Sequence, residues 1–353
     1  MRKEIKYLFT IGICLSITSI FYKVSSPEKD YKDKDQDFKT WPSEIQKKYI
    51  EWSWDYGKVG QSPEEVKKRR EIWYNNYINL EKYKKNSKSF KKKIWKLTLT
   101  EFGDLTDEEF VFKISGVVGL GNEAKPNNFV KFDNPADLEI DWSSKFGREP
   151  IYQGFCKASW AIVTSEALDI AYQVQTGQKE HFSAQQLLDC TPGLSQDGCK
   201  GGTIQKAFNY ILKQNGLAKE KDYLYTGVAK SCRNSLPQPN LEMKEPRLGY
   251  VFPKNEKEIL KGLRQGPVIA HVNALCLKNY KNGIFNSEDV CSSDEESLNH
   301  SVLIVGAGIE NGIKFWKVRN TWGEEWGERG YFRVERIGGD GLMGINVYPL
   351  VFM

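Results

Sequence analysis

Four side chains spread over this 353-residue chain have the types needed for acyl-transfer chemistry: Ser159, His300, Asn320 and Gln153. Ser159 lies in the run Gln153-Gly154-Phe155-Cys156-Lys157-Ala158-Ser159-Trp160-Ala161, which opens a helical pattern from Trp160 to Val174 that Gly177 ends. A nucleophile at a helix N-terminus feels the positive end of the helix dipole. It also lies beside free backbone N–H groups, which stabilise a developing anion and an oxyanion. Gln153, with a side-chain amide, is the candidate second oxyanion donor. His300, in Asn299-His300-Ser301-Val302-Leu303-Ile304-Val305-Gly306 at the start of a strand pattern, is the candidate general acid and base. Asn320, ahead of Thr321-Trp322-Gly323, is the candidate third member that orients the imidazole. Lys157, two residues before Ser159, does not face it and is not read as its base.

The elements that must position these groups are helices first and strands later. Strand patterns run over Ser301 to Val305, Lys314 to Arg319 and Gly330 to Glu335, so the reading is α+β rather than alternating βαβ units. Ahead of them, Trp41, Ile45, Tyr49, Trp52 and Tyr56 recur at helical steps. A second helix opens at Ser62-Pro63-Glu64-Glu65, where Ser62 can cap and Glu65 can complete a capping box; its packing face is Val66, Trp73, Tyr77 and Leu80. A loop rich in Gly, Asn and Pro from Gly116 to Asn134 marks a boundary, with the main domain starting near Asp133.

The Gln, nucleophile, His and Asn stretches, with Ser183-Ala184-Gln185-Gln186-Leu187-Leu188-Asp189-Cys190 and Gly198-Cys199-Lys200-Gly201-Gly202 between them, resemble the papain family of cysteine proteases, cathepsin L-like members in particular. The resemblance extends upstream. Glu65, Arg69, Trp73, Asn76 and Leu80 follow the long helix of that family's inhibitory propeptide, and Phe102-Gly103-Asp104-Leu105-Thr106-Asp107-Glu108-Glu109-Phe110 resembles its second motif, with Lys84, Thr98 and Thr100 departing from the pattern. It implies a two-lobed domain, with a helical left lobe and a β-barrel-like right lobe, preceded by an α-helical inhibitory propeptide. The expected divisions are a signal peptide over 1–24, a linker over 25–40, the propeptide inhibitor domain over 41–115, a linker over 116–132 and the peptidase domain over 133–353.

By the same resemblance, Trp322 covers the His300–Asn320 hydrogen bond, and Lys157, Gly201, Gly202, Ile204, His271 and Trp322 lie where substrate binds. Lys157 replaces a glycine and His271 an apolar wall residue; the stretch from Met343 to Pro349 is shorter than in typical relatives. Above all, Ser159 stands where the family has cysteine. A thiol of ordinary pKa about 8.5 can rest as a thiolate beside imidazolium, whereas a hydroxyl must lose its proton during attack, and Asn320 carries no charge to stabilise the imidazolium formed. The expectation is a peptidase homologue without normal cysteine-protease activity, with a binding or regulatory role and a peptide or protein ligand in the cleft. The alternative is a hydrolase of peptide or ester bonds using Ser159-His300-Asn320, and a third reading has the propeptide region inhibiting true cathepsins.

Of seven cysteines, Cys14 lies in the amino-terminal apolar run. The resemblance pairs Cys156 with Cys199 and Cys190 with Cys232, and with Met343 at the usual partner position of Cys291, it leaves Cys276–Cys291. The spacing of Cys and His gives no zinc pattern, and no metal or cofactor is expected. A net charge of +5 with no basic block argues against a nucleic-acid partner. Met1 to Lys6 followed by the apolar run Tyr7 to Tyr22 reads as a secretory signal, with an uncleaved anchor left open, and no other membrane contact is expected. The location expected is extracellular or lysosomal. Of the other two histidines, His271 reads as a buried imidazole or a ligand contact, and His181, before Phe182, as a surface residue.

Overall fold

The computed structural model describes residues 36–58, 62–88, 90, 94–114, 116, 129–133, 139–191, 198–233, 243 and 246–353. The expected signal peptide, residues 1–24, and most of the expected linkers lie outside the described residues. Contacts divide the chain into two compact units, residues 1–60 and 61–353. The first holds α1 (Gln36–Lys39) and α2 (Ser43–Asp55). Its core takes Tyr49 and Trp52 from the aromatic stripe that the periodicity predicts and adds Phe38, which that stripe does not include. Phe38, Trp41 and Tyr49 meet edge to face with ring centroids 5.2 to 6.2 Å apart, the geometry that aligns positive ring edges with negative faces.

The second unit begins with an amino-terminal arm, residues 62–116, made of α3 (Pro63–Asn86), β1 (Trp95–Leu97) and α4 (Asp107–Ile114). The Ser62 hydroxyl caps α3 by accepting the Glu65 N–H at 3.3 Å. Glu65 does not complete the box; its carboxylate accepts from Arg69 Nε at 2.5 Å. Trp73 and Leu80 are buried on the expected face of α3.

The remainder of this unit runs β2 (Ile140–Asp141), α5 (Ser159–Thr176), α6 (Ala184–Cys190), α7 (Ile204–Gln214), β3 (Leu248–Tyr250), α8 (Glu256–Leu263), β4 (Val268–Val272), β5 (Tyr280–Phe285), β6 (His300–Glu310), β7 (Ile313–Arg319), β8 (Tyr331–Glu335) and β9 (Leu350–Phe352). This is the α+β order the sequence predicts. Helix α5 is buried from Ser159 through Tyr172, as a helix apolar on every side must be, and it packs on α6, α7 and β6. Gly177 ends it in a left-handed conformation.

The strands form one sheet in the order β1-β5-β8-β7-β6-β4-β9-β3, with β2 also on β6. Pairing is antiparallel except between β5 and β8. β1 comes from the arm: Trp95 lies opposite Gly283 of β5, and its buried ring meets Phe285 edge-on at 4.6 Å. The sequence reading did not include this strand, because three residues carry too little periodicity to show.

Disulfides join Cys156 to Cys199, Cys190 to Cys232 and Cys276 to Cys291. His181, partly exposed, has a role that its sequence reading did not give it. Its Nδ1 lies 3.1 Å from Asp169 Oδ2, and Arg148 Nη2 lies 2.9 Å from the same oxygen. Asp169 is buried and a buried carboxylate needs such partners; His181, its side chain 30% exposed, supplies one from the surface.

Candidate active site

Two strands and one helix end bring the candidate residues together. His300 is the first residue of β6, in register with Val272 of β4, so that the next pair along the ladder is His271 and Ser301. Asn320 follows β7, whose pairing with β6 sets Leu303 opposite Arg319. Ser159 is the first residue of α5, and no side chain caps that helix. Gln153, Ser159, His300 and Asn320 are all fully buried.

His300 Nε2 lies 2.8 Å from Asn320 Oδ1, which also accepts the backbone N–H of Thr321 at 2.8 Å. An oxygen already accepting from an amide takes its second bond from a donor, so Nε2 carries the hydrogen of the neutral ring and Nδ1 keeps its lone pair. Nδ1 has no hydrogen-bond partner among the described residues. Burial lowers the His300 pKa to about 4, with the Asn320 hydrogen bond pulling the other way. The Trp322 indole lies across the imidazole at 5.0 Å between centroids, where it shields the ring and its hydrogen bond from water.

The Gln153 amide is oriented by its neighbours. Oε1 accepts from the Thr321 hydroxyl at 2.6 Å, which leaves Nε2 as the donor, to the Cys156 carbonyl at 3.0 Å and the Ile114 carbonyl at 3.3 Å. A carbonyl of the arm therefore sits on the group expected to hold an oxyanion. The Ser159 hydroxyl accepts the backbone N–H of Ser301 at 3.2 Å. Neither Ser301 nor Thr321 was singled out in the sequence, since both act through contacts that only the strand register creates.

Among the other predicted positions, Gly202 donates its N–H to the Gly116 carbonyl at 3.1 Å, and Gly116 donates to the Asn299 carbonyl at 2.9 Å. Gly116, read as the first residue of a linker, is thus strung across the cleft. Its own lack of a side chain is required, since a Cβ there would stand 2.5 Å from Ser159 Oγ and 2.8 Å from the Lys157 carbonyl. Gly202 is constrained in the same way by the Trp160 ring, 2.6 Å from where its Cβ would be. Gly201 adjoins it with a positive φ, and Ile204 is buried at the start of α7 rather than facing open space. His271 is buried with Nδ1 3.1 Å from Ser301 Oγ; burial lowers its pKa to about 3, with the charge of His300 adding to the effect.

The arm is fastened over this cleft at several points. Phe102 and Phe110 meet the Trp322 ring edge-on at 5.2 and 5.7 Å. Lys278, almost without exposed side chain, donates to the Leu105 carbonyl at 2.8 Å and Asp107 Oδ1 at 2.7 Å, while its own carbonyl accepts the Thr100 hydroxyl at 2.6 Å. Asn76 holds the intervening turn through the Gly103 and Leu105 carbonyls, both at 2.8 Å. Among the described residues no cluster of metal-ligating side chains occurs and no helix is long and apolar enough to cross a membrane.

A buried His–Asn pair, a helix N-terminus and a glutamine amide facing one cleft, between a helical lobe and a sheet, define a papain-type fold covered by an inhibitory arm. Residues 137–351 match the family described as papain family cysteine protease, and residues 38–110 match the cathepsin propeptide inhibitor domain. The chain belongs to the papain family and carries its propeptide. Pro-cathepsin H of Mus musculus is 29% identical over 332 residues, covering 89% of this chain and 90% of that protein. Ananain of Ananas comosus is 32% identical over 317 residues, covering 87% of each. The structure of digestive procathepsin L 3 from Tenebrio molitor larval midgut superposes with a TM-score of 0.74 at 28% identity, covering 88% of this chain and 99% of that one.

Proposed function

We propose that this protein is a secreted or lysosomal papain-family homologue that does not act as an ordinary cysteine peptidase, because Ser159 occupies the position of the family's nucleophilic cysteine. Its cleft serves binding or regulation, taking a peptide or protein ligand once the arm leaves. The divisions at 1–24, 25–40, 41–115, 116–132 and 133–353 are part of this proposal, as are the roles of Gln153, His300 and Asn320 around Ser159.

The observation that carries the reading is the hydrogen bond from the Ser301 N–H to Ser159 Oγ, while His300 Nδ1 has no partner among the described residues. A serine activated for attack donates its proton to the imidazole. A second reading, a weak hydrolase, draws support from the same histidine. Its Nε2 is committed to Asn320, and its lowered pKa keeps Nδ1 unprotonated above about pH 4, the state a general base requires.

Full-length wild-type protein, Ser159→Ala and Ser159→Cys, assayed on peptide and ester substrates before and after limited proteolysis between residues 110 and 137, separate the two. The proposal expects no turnover in wild type that alanine abolishes, and thiol-reagent-sensitive peptidase activity in Ser159→Cys. Wild-type turnover lost on Ser159→Ala overturns it in favour of the hydrolase.

A further inference from the structure

Lys157 and its neighbour Phe155 are the cleft-lip residues whose chemistry the catalytic geometry leaves unused. Phe155 is 57% exposed, and across from it Phe112 of α4 is 73% exposed. Apolar rings so far in water gain little from burial, yet both have a cation over their face. The Lys157 ammonium stands 4.4 Å from the Phe112 centroid and the Lys113 ammonium 4.7 Å from the Phe155 centroid, each well within the distance at which a ring quadrupole attracts a cation. The two contacts are reciprocal: each side contributes one ring and one ammonium.

Both sides are held rigid independently of these contacts. Cys156, between Phe155 and Lys157, is tied by its disulfide to Cys199, and the Lys157 N–H donates to the Cys199 carbonyl at 3.2 Å. Helix α4 is anchored through Asp107 to Lys278 and through Glu109 to Arg69. Little backbone freedom remains to be lost in bringing the two faces together, so the modest attraction of each pair is opposed mainly by the rotamer entropy of the side chains themselves.

We propose that Phe155 and Lys157 form a recognition surface for an adjacent aromatic and basic residue on a helix, and that its occupant is Phe112-Lys113 of this chain's own propeptide. The surface gives the cleft a preference for its own arm that rests on neither the backbone bonds of Gly116 nor the chemistry of Ser159. It stands or falls separately from the proposed loss of peptidase activity.

The test uses the full chain and reads amide hydrogen exchange of α4, with β6 as the internal reference. Lys157→Met, which keeps the stem and removes the charge, is expected to lower α4 protection about two- to fivefold relative to β6. Phe112→Leu should do the same, and the two together no more than either alone. Reversing the pair, Phe112→Lys with Lys157→Phe, should restore protection. Single effects that add in the double variant, unchanged protection in Lys157→Met, or a reversed pair no better than the singles would each overturn the proposal. A fall shared equally by β6 also overturns it, since the side chains would then be supporting the whole body.

Discussion

Of the arginine–glutamate pairs among the described residues of the second unit, two work in opposite surroundings. Arg319 at the end of β7 grips Glu166 of α5 with Nε at 2.9 Å and Nη2 at 2.8 Å, both side chains almost wholly buried. Arg69 of α3 grips Glu109 of α4 in the same two-pronged way, at 2.6 and 3.0 Å, with the glutamate side chain 26% exposed. The first joins the helical lobe to the sheet, and its remaining donors go to the Tyr331 hydroxyl at 2.8 Å and the Glu149 carbonyl at 2.9 Å. The second pins the propeptide to itself and shares its carboxylate with Lys68 and the Thr106 N–H. Water reaches the second and is excluded from the first. The buried pair is therefore kept in every folded state of the body, while the pair within the arm can exchange its bonds with solvent; the contacts that hold the arm on the body, through Lys278 and Trp322, are themselves buried.

The sharpest way to break this contrast is Arg319→Met. Removing one partner strands a buried carboxylate, and the expected loss is about 3–5 kcal/mol, a fall in Tm on the order of 10 °C for a body of this size. Adding Glu166→Leu should recover much of it. A Tm for Arg319→Met within a degree of wild type would show that the two pairs are equivalent after all.

A smaller and more local effect is expected from Gly116→Ala. The new methyl meets Ser159 Oγ and the Lys157 carbonyl, an overpacking cost of about 1–3 kcal/mol that falls on the seat of the arm. Hydrogen exchange should show α4 losing protection by roughly tenfold, with α5 unchanged. Equal loss in both elements would mean that the arm and body open as one.

A further effect concerns acid. The hydrogen bonds from Arg69 lower the Glu109 pKa from its ordinary 4.5 to about 2, so the stabilisation it gives is complete above pH 4.5 and is lost as pH falls toward 2. The buried histidines act earlier. His300 and His271 have folded pKa values of about 4 and about 3 against an ordinary 6.5, so below 6.5 the unfolded chain binds protons that the folded body refuses. Acid titration of the full chain should weaken the body first, from pH 6.5 downward, and the Arg69–Glu109 contact only below 4.5. Arg69→Met should flatten the lower part of the difference curve alone; an arm released above pH 5 with the body intact would reverse the order.

Much of this arrangement was legible in the residues. The extent of α5 and its stop at Gly177 and the strands that end at Arg319 and Glu335 follow from periodicity, while the grouping of Gln153, His300 and Asn320 with Ser159 rests on the resemblance of their stretches to the papain family. What stayed hidden is long-range and carried by short segments or backbone atoms. The Ser301 N–H reaches Ser159 only because β4 and β6 set the register. Gly116 sits in a tract rich in loop-forming residues, and nothing in its type distinguishes a flexible link from a glycine chosen for narrowness. The role of His181 does not show because the need it meets belongs to Asp169, twelve residues upstream.

Strand β1 has a consequence for what the propeptide leaves behind. β5 is hydrogen-bonded to β8 on one side and to β1 on the other, so the arm's three residues are the last rung of the sheet. When the arm departs, Tyr280 to Gly283 present unpaired amides and carbonyls to solvent, a template on which a foreign strand can add. Removal of the arm would thus move the open edge of the sheet from the three-residue β1 to the longer β5.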